Sequence, residues 1–232
     1  MKFGVVVFPG SNCDDDMIHV IGSVLGAEVE KLWHKDTALA GYTQEDCIVL
    51  PGGFSYGDYL RAGAIARYSP IMQSVISFAK NGGKVIGICN GFQILCESGL
   101  LPGALVRNEH HKFISKNAYL RVETTDSLVT NGYSKGQVIM MPIAHAEGRY
   151  VTNKDGLASL EAQDQILFRY CTADGKLFSE NGSTDHIAGI CNKERNVFGM
   201  MPHPERASEA ILGNTDGLAL FQSLYKSDLQ AV

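Results

Sequence analysis

The segment Lys84-Val85-Ile86-Gly87-Ile88-Cys89-Asn90-Gly91-Phe92-Gln93 carries the clearest chemical signal in the chain. An apolar run passes through Gly-x-Cys-x-Gly and continues directly into a helical pattern. A nucleophile on so sharp a strand-to-helix turn sits in a strained backbone conformation, and neighbouring chain passes so close that the positions two before and two after it must lack a Cβ. Gly87 and Gly91 fill those positions. The turn would raise the sulfur of Cys89 above the strand ends at a helix N-terminus, and would offer the Asn90 backbone N–H to a developing oxyanion. Cys13, Cys47, Cys96, Cys171 and Cys191 lack this frame. Cys13 is the nearest rival, but three aspartates follow it and their charge would raise a thiol pKa, so it reads as structural or as part of a contact surface. No cysteine pair has C-x-x-C spacing, so a zinc knuckle or thioredoxin-like site has no basis, and no metal site is expected.

A thiolate nucleophile needs a base that can also act as an acid toward a leaving amine, usually a histidine held by a carboxylate. In Val197-Phe198-Gly199-Met200-Met201-Pro202-His203-Pro204-Glu205 an apolar strand ends at a histidine, and the proline after it keeps that residue extended. Residues two apart in an extended segment project to one side, which would bring Glu205 to the imidazole of His203. Cys89, His203 and Glu205 then form a triad. His145, in Ile143-Ala144-His145-Ala146-Glu147-Gly148-Arg149, competes as base, because it too follows an apolar strand and has a carboxylate two residues on. His110 and His111 read as polar loop residues near a site.

Leu50-Pro51-Gly52-Gly53-Phe54-Ser55-Tyr56-Gly57-Asp58 supplies a glycine loop after another strand, where bare backbone N–H groups can approach a ligand. Gly53 N–H together with Asn90 N–H would make an oxyanion hole. A phosphate-binding loop is the alternative, but neither G-x-x-x-x-G-K-[ST] nor G-x-G-x-x-G occurs in the chain.

The elements that must position these residues alternate. Phe3 to Phe8 reads as a strand buried on both faces, Asp14 opens a helix to about Leu25, Glu28–Trp33 and Asp46–Leu50 are strands, Pro70–Lys80 is a helix, and Lys84–Ile88 is a strand. A helix follows from about Gly91 to Ser98, with Gly99 as its cap. In the second half, strands are expected at 119–124, 138–143, 165–171, 186–191 and 197–201, with turns at Asn131-Gly132, Asp155-Gly156, Asp174-Gly175 and Asn181-Gly182 and a closing helix over 216–226. This order predicts an α/β fold of flavodoxin-like, three-layer type. It has a mostly parallel central sheet with helices on both faces and a smaller mixed or antiparallel sheet in the second half, all in one domain over residues 1–232.

Composition narrows the function classes. The chain has 232 residues, 45% of them apolar, and 20 Lys+Arg against 25 Asp+Glu give a net charge of −5. With no basic block, a nucleic-acid or anionic-membrane partner is not expected. No apolar run reaches the ~18 residues of a membrane span, and the N-terminal run is too short for a signal peptide, so a cytoplasmic protein is expected.

Taken together, the Pro-Gly-Gly loop, the Gly-x-Cys-x-Gly elbow and the late His-Pro-Glu resemble the class I (triad) glutamine amidotransferases. Pro9-Gly10-Ser11-Asn12-Cys13-Asp14, the stretch Leu50 to Gly63, Cys89-Asn90-Gly91-Phe92-Gln93 and Arg107-Asn108 with Phe113 make the chain similar to one group within that class, the glutaminase subunits of phosphoribosylformylglycinamidine synthases of purine biosynthesis. The resemblance implies that Cys89 attacks the side-chain amide of glutamine, while His203 protonates the departing ammonia and then activates water to hydrolyse the thioester. It further implies that Gly52 and Gln93 contact the substrate. Partners implied are a large synthetase subunit, which uses ATP and Mg and receives the ammonia, and in some members a small third subunit. No cofactor is implied for this chain itself, whose length leaves no room for an ATP-using synthase. Two departures from the group's pattern are Ala146, where glycine is usual, and His111, where a small polar residue is usual. The alternative readings are another cysteine hydrolase on a similar sheet and a non-catalytic subunit that senses glutamine.

Overall fold

Phe3, Val5 and Val6 are fully enclosed, which makes the first apolar run a central strand, β1 (Lys2–Val7), covered on both faces. The structure, a computed structural model, describes residues 1–226. After β1 comes α1 (Asp14–His19), which continues as a wider five-residue π turn over Val20–Val24, so the helix expected to Leu25 changes pitch halfway. β2 (Glu28–Trp33), β3 (Cys47–Leu50), α2 (Pro70–Lys80), β4 (Lys84–Ile88) and α3 (Asn90–Glu97) follow. The bounds of β2, α2 and β4 agree with the sequence expectation.

The second half contains β5 (Ala104–Val106), β6 (Ile114–Val122), β7 (Val138–His145), β8 (Arg149–Val151), α4 (Lys154–Ala162), β9 (Ile166–Cys171), β10 (Ile187–Cys191), β11 (Val197–Met200) and α5 (Leu218–Lys226). α4 overturns the expected turn at Asp155-Gly156. Asn153 caps this helix, its side-chain oxygen accepting from Gly156 N at 2.7 Å, so the glycine lies in the first helical turn. Among the described residues no helix is long and apolar enough to cross a membrane.

Nine strands form one sheet in the order β2-β1-β3-β4-β11-β10-β9-β6-β7. Pairing is parallel from β2 to β11 and antiparallel from β11 to β7. The parallel part has the doubly wound flavodoxin-like order, whose carboxyl edge is the usual ligand edge. The antiparallel strands of the second half extend this sheet, and the separate small sheet is the antiparallel pair β5–β8, each three residues long. Strands that short leave no alternation to read in the sequence.

Gly87 and Gly199 are register partners on one face of the sheet, where a Cβ would run into Leu95 and Phe92 of α3. Ile86, Ile88, Phe198 and Met200 face the other way, toward Leu220 of α5. The central strands are therefore covered on both sides. β7 ends the strand order, yet its Pro142 carbonyl accepts from His203 N at 2.8 Å, just past the end of β11. The antiparallel end of the sheet thus curls back over the carboxyl edge of its parallel half.

Candidate active site

Cys89 stands at the β4–α3 junction with φ 51° and ψ −104°, a left-handed conformation strained for a residue with a Cβ. It persists because both sides of the turn are fixed: Cys89 N donates to Met200 O at 2.8 Å, and Gln93 N donates to Cys89 O at 3.2 Å. The flanking glycines do what their spacing implied. A Cβ on Gly91 would collide with the Leu50 carbonyl, and one on Gly87 would lie 2.6 Å from Gly91 C. Cys89 is only 5% exposed, and its sulfur is 3.9 Å from Ala144 O on β7.

His203 and Glu205 are 1% and 2% exposed, and His203 Nδ1–H donates to Glu205 Oε1 at 2.6 Å. His203 is extended, with φ −102° and ψ 92°, but Pro204–Ala207 forms a single 3₁₀ turn. The carboxylate therefore reaches the ring through a turn and not along the extended segment expected from sequence. Burial alone would push the imidazole pKa down, but the charge of Glu205 and the sulfur of Cys89 outweigh it and hold the value up at about 10. With Nδ1 committed to Glu205, Nε2 is left without a partner at hydrogen-bond distance. An imidazolium oriented by a carboxylate beside a thiol is equipped to give a proton to a leaving amine and take one back from water.

His145 occupies a different environment. Asn108 Nδ2 donates to the carbonyls of Lys112 and His145, both at 2.9 Å, so its Oδ1 is the acceptor that faces the His145 ring at 3.1 Å. Nδ1 must therefore carry the hydrogen, and the buried Nε2 is a bare lone pair without a partner. Burial, with His203 adding to it, pulls the His145 pKa down to about 4, which leaves the ring neutral. Glu147 does not reach this ring as the i+2 spacing allowed; its carboxylate accepts from Ala62 N at 3.2 Å. His145 thus lacks the carboxylate that His203 has.

Leu50 pairs with Gly87 across β3 and β4, so the glycine loop leaves the sheet beside the elbow. Gly52 lies at the centre: a Cβ there would be 2.8 Å from His203 Cε1, 3.2 Å from Cys13 Sγ and 3.4 Å from Cys89 Cβ. Gly53 has φ +127°, and its missing Cβ makes way for Asn12 N at 2.6 Å. The Asn90 side chain joins loop to elbow. Its Oδ1 accepts from Ser55 N at 3.1 Å, and its Nδ2 donates to Asp58 at 3.2 Å and to Gln93 Oε1 at 2.8 Å. Gln93 in turn donates to Glu147 O at 2.6 Å, so its amide is engaged in holding the loop after β7.

Two features escaped the sequence. Asp58 is pushed up to about 6 by burial and by Glu147, which puts a second carboxylate beside the elbow with nothing but a loop position to announce it. Cys13 is buried beside Gly52 and away from any surface, with its pKa raised to about 12, chiefly by burial and then by Glu205; the following aspartates contribute little. The pairing of Ser11 with Gly53, together with the bond from Phe54 N to Gly10 O at 3.2 Å, brings it there, contacts between loops after different strands. His110 and His111 remain in an exposed loop, His110 accepting from Lys112 N at 3.0 Å.

The profile of the CobB/CobQ-like glutamine amidotransferase domain matches residues 1–224. The chain is 57% identical over 227 residues to the phosphoribosylformylglycinamidine synthase subunit PurQ of Moorella thermoacetica, covering 97% of this chain and 95% of the relative. It is 59% identical to the subunit of the same name from Koribacter versatilis, over 97% of both chains. Among solved structures, a chain in the PurLQS structure from Thermotoga maritima superposes with a TM-score of 0.86 at 44% identity, covering 97% of this chain and 98% of that one. A glutamine amidotransferase from Thermotoga maritima shares the fold, with a TM-score of 0.57 at 13% identity, covering 100% of this chain and 84% of that one. The elbow, the buried imidazole–carboxylate pair and the matches over nearly all of the sequence lead to one conclusion: the chain belongs to the CobB/CobQ-like glutamine amidotransferases.

Proposed function

We propose that the chain is the glutaminase subunit of a phosphoribosylformylglycinamidine synthase. It hydrolyses glutamine to glutamate and ammonia and passes the ammonia to a large synthetase subunit, which uses ATP and Mg to convert formylglycinamide ribonucleotide to formylglycinamidine ribonucleotide. The observation that carries this reading is the closed His203–Glu205 pair at 2.6 Å beside the strained Cys89.

Cys89, as thiolate, attacks the side-chain amide carbon of glutamine. The negative charge that develops on the amide oxygen is met by the backbone N–H groups of Gly53 and Asn90, each worth ~10²–10³ in rate in such sites. The His203 imidazolium protonates the departing nitrogen, ammonia leaves, and a glutamyl thioester remains on Cys89. Neutral His203 then takes a proton from water, which attacks the thioester and releases glutamate. Glu205 keeps Nδ1 protonated throughout, so that Nε2 is the nitrogen that exchanges protons. Gly52 keeps the floor of the site open to substrate, and Gln93 supports the site through Asn90 and Glu147. The hydrolysis is carried by these residues without a cofactor, in the cytoplasm, as part of a complex with the synthetase and, in some organisms, a small third subunit.

The test is reconstitution of the complex with Cys89→Ala, assayed with glutamine or ammonium salt as nitrogen donor. Loss of the glutamine-dependent rate with survival of the ammonia-dependent rate is expected. Undiminished activity on glutamine would remove the reading.

A further inference from the structure

Cys13 takes no part in the chemistry above, yet it shares the space around Gly52 with Cys89 and His203. One donor atom each from Cys13, His203 and Glu205 lie within 4.8 Å of one another, and among the described residues no other trio of His, Cys, Asp or Glu is grouped in this way. All three side chains are more than nine-tenths buried. One of their polar atoms, Glu205 Oε2, has no hydrogen-bond partner among the described residues, while His203 offers Nδ1 on the Glu205 side of its ring. Thiolate, imidazole and carboxylate are the donors of tetrahedral zinc sites, whereas magnesium and calcium take oxygen ligands.

We propose that Cys13, His203 and Glu205 form a binding site for a soft divalent cation of the zinc type, and that an ion held there stops glutamine hydrolysis by removing the base from the triad. The Cys13 thiol now donates to Asn12 Oδ1 at 3.3 Å. Binding would form a zinc–sulfur and a zinc–nitrogen bond and release two protons to solvent, that of the thiol and one from the His203 imidazolium, with no change of oxidation state. One thiolate and one carboxylate neutralise the dication. The nearby cation does not forbid it, since Arg206, whose Nη2 is 3.1 Å from Cys13 Sγ, is paired through Nε with Asp16 at 3.2 Å. With a metal on the imidazole, His203 can no longer move a proton, and Glu205 no longer orients it. Cys13 sets this site apart from the thiol–imidazole pair that any cysteine hydrolase offers a metal.

The experiment therefore removes the nucleophile. Cobalt(II), a spectroscopic substitute for zinc, is titrated into the reduced full chain carrying Cys89→Ala, and the near-ultraviolet thiolate-to-cobalt charge-transfer band is recorded. The band should appear and be displaced by zinc but not by magnesium. Adding Cys13→Ser, which keeps a hydroxyl for Asn12, should abolish the band and weaken zinc by about 10-fold or more; Glu205→Gln in the same Cys89→Ala background, with Cys13 intact, should weaken zinc as well. In the reconstituted complex, zinc should inhibit the glutamine-dependent rate but not the ammonia-dependent one, a chelator should reverse it, and half-inhibition in Cys13→Ser should need about 10-fold more zinc relative to that variant's own rate. Absence of the band in Cys89→Ala would overturn the proposal, as would a band or zinc affinity indifferent to Cys13→Ser or to Glu205→Gln. The binding arm does not depend on the chain being a glutaminase.

Discussion

The His145 ring is held near a pKa of about 4 by burial, helped by His203, against 6.5 for a free imidazole. Because the folded value is the lower one, the unfolded chain takes up the proton first as the medium is acidified. The stabilisation from a neutral His145 is therefore complete above about pH 6.5, declines as pH falls toward about 4, and is gone below that. A gap of about 2.5, at about 1.4 kcal/mol for each factor of ten, amounts to about 3 kcal/mol, of which about 2.5 kcal/mol has been lost by about pH 4.5. The perturbation is His145→Gln, whose amide can still donate to Asn108. Urea unfolding of parent and variant would be measured at about pH 7.5 and about pH 4.5, and the variant subtracts every other titrating group. The parent should lose about 2.5 kcal/mol more than the variant between the two conditions. Equal losses, or an imidazole resonance of His145 that titrates with an ordinary histidine pKa, would refute the reasoning. A ring that stays neutral also cannot act as the imidazolium, so His145→Gln should keep most of its glutamine turnover in the complex.

Glu205→Gln removes the group that does most to sustain the raised pKa of His203. The folded value near 10 exceeds the free 6.5, so this pair stabilises fully below about pH 6.5 and its contribution is lost as pH rises through about 10. The variant should lack that alkaline decline in a urea series and should lose about 10²–10⁴ in glutamine turnover while its partner still accepts ammonium salt. A variant with the parent's alkaline decline would contradict the assignment. Gly52→Ala places a Cβ 2.8 Å from His203 Cε1, and the ring cannot yield freely because Glu205 holds its Nδ1 and Pro142 O holds the backbone N–H of the same residue. A displacement on the order of 1 Å should cost about 10²-fold in kcat for glutamine; an undisturbed kcat would show that the loop gives way instead.

The elbow was legible in the sequence because its constraint is local. Gly87 and Gly91 are needed by chain one turn away and by the adjacent strand, and the resulting spacing is enough to single out Cys89 among six cysteines. β2, α2 and β4 were legible for the same reason, since periodicity and flanking turns record what a strand or helix buries. The His203–Glu205 pair was found although the 3₁₀ turn that makes it was not, because both geometries bring residues two apart together. What escaped depends on chain remote in sequence. The tautomer of His145 is set by Asn108 on another loop, and its neutrality by burial beside His203. The burial of Cys13 follows from the pairing of Ser11 with Gly53. α4 was hidden because Asp-Gly is a turn signal unless an asparagine two residues earlier caps a helix, as Asn153 does here.

Among the described residues β11 is the last strand to be made, yet it enters the middle of the sheet, between β4 and β10. During synthesis the elbow bearing Cys89 leaves the ribosome long before β11, Glu205 and the backbone N–H by which His203 grips Pro142. An incomplete chain therefore has a gap at the centre of its sheet, where a missing edge strand would only fray the border. Until that gap is filled the thiol has neither its base nor the strand that supplies Met200 O to its own N–H. In the proposed mechanism closure of the core and arming of the nucleophile are then one event, and a chain that ends before β11 should not turn over glutamine.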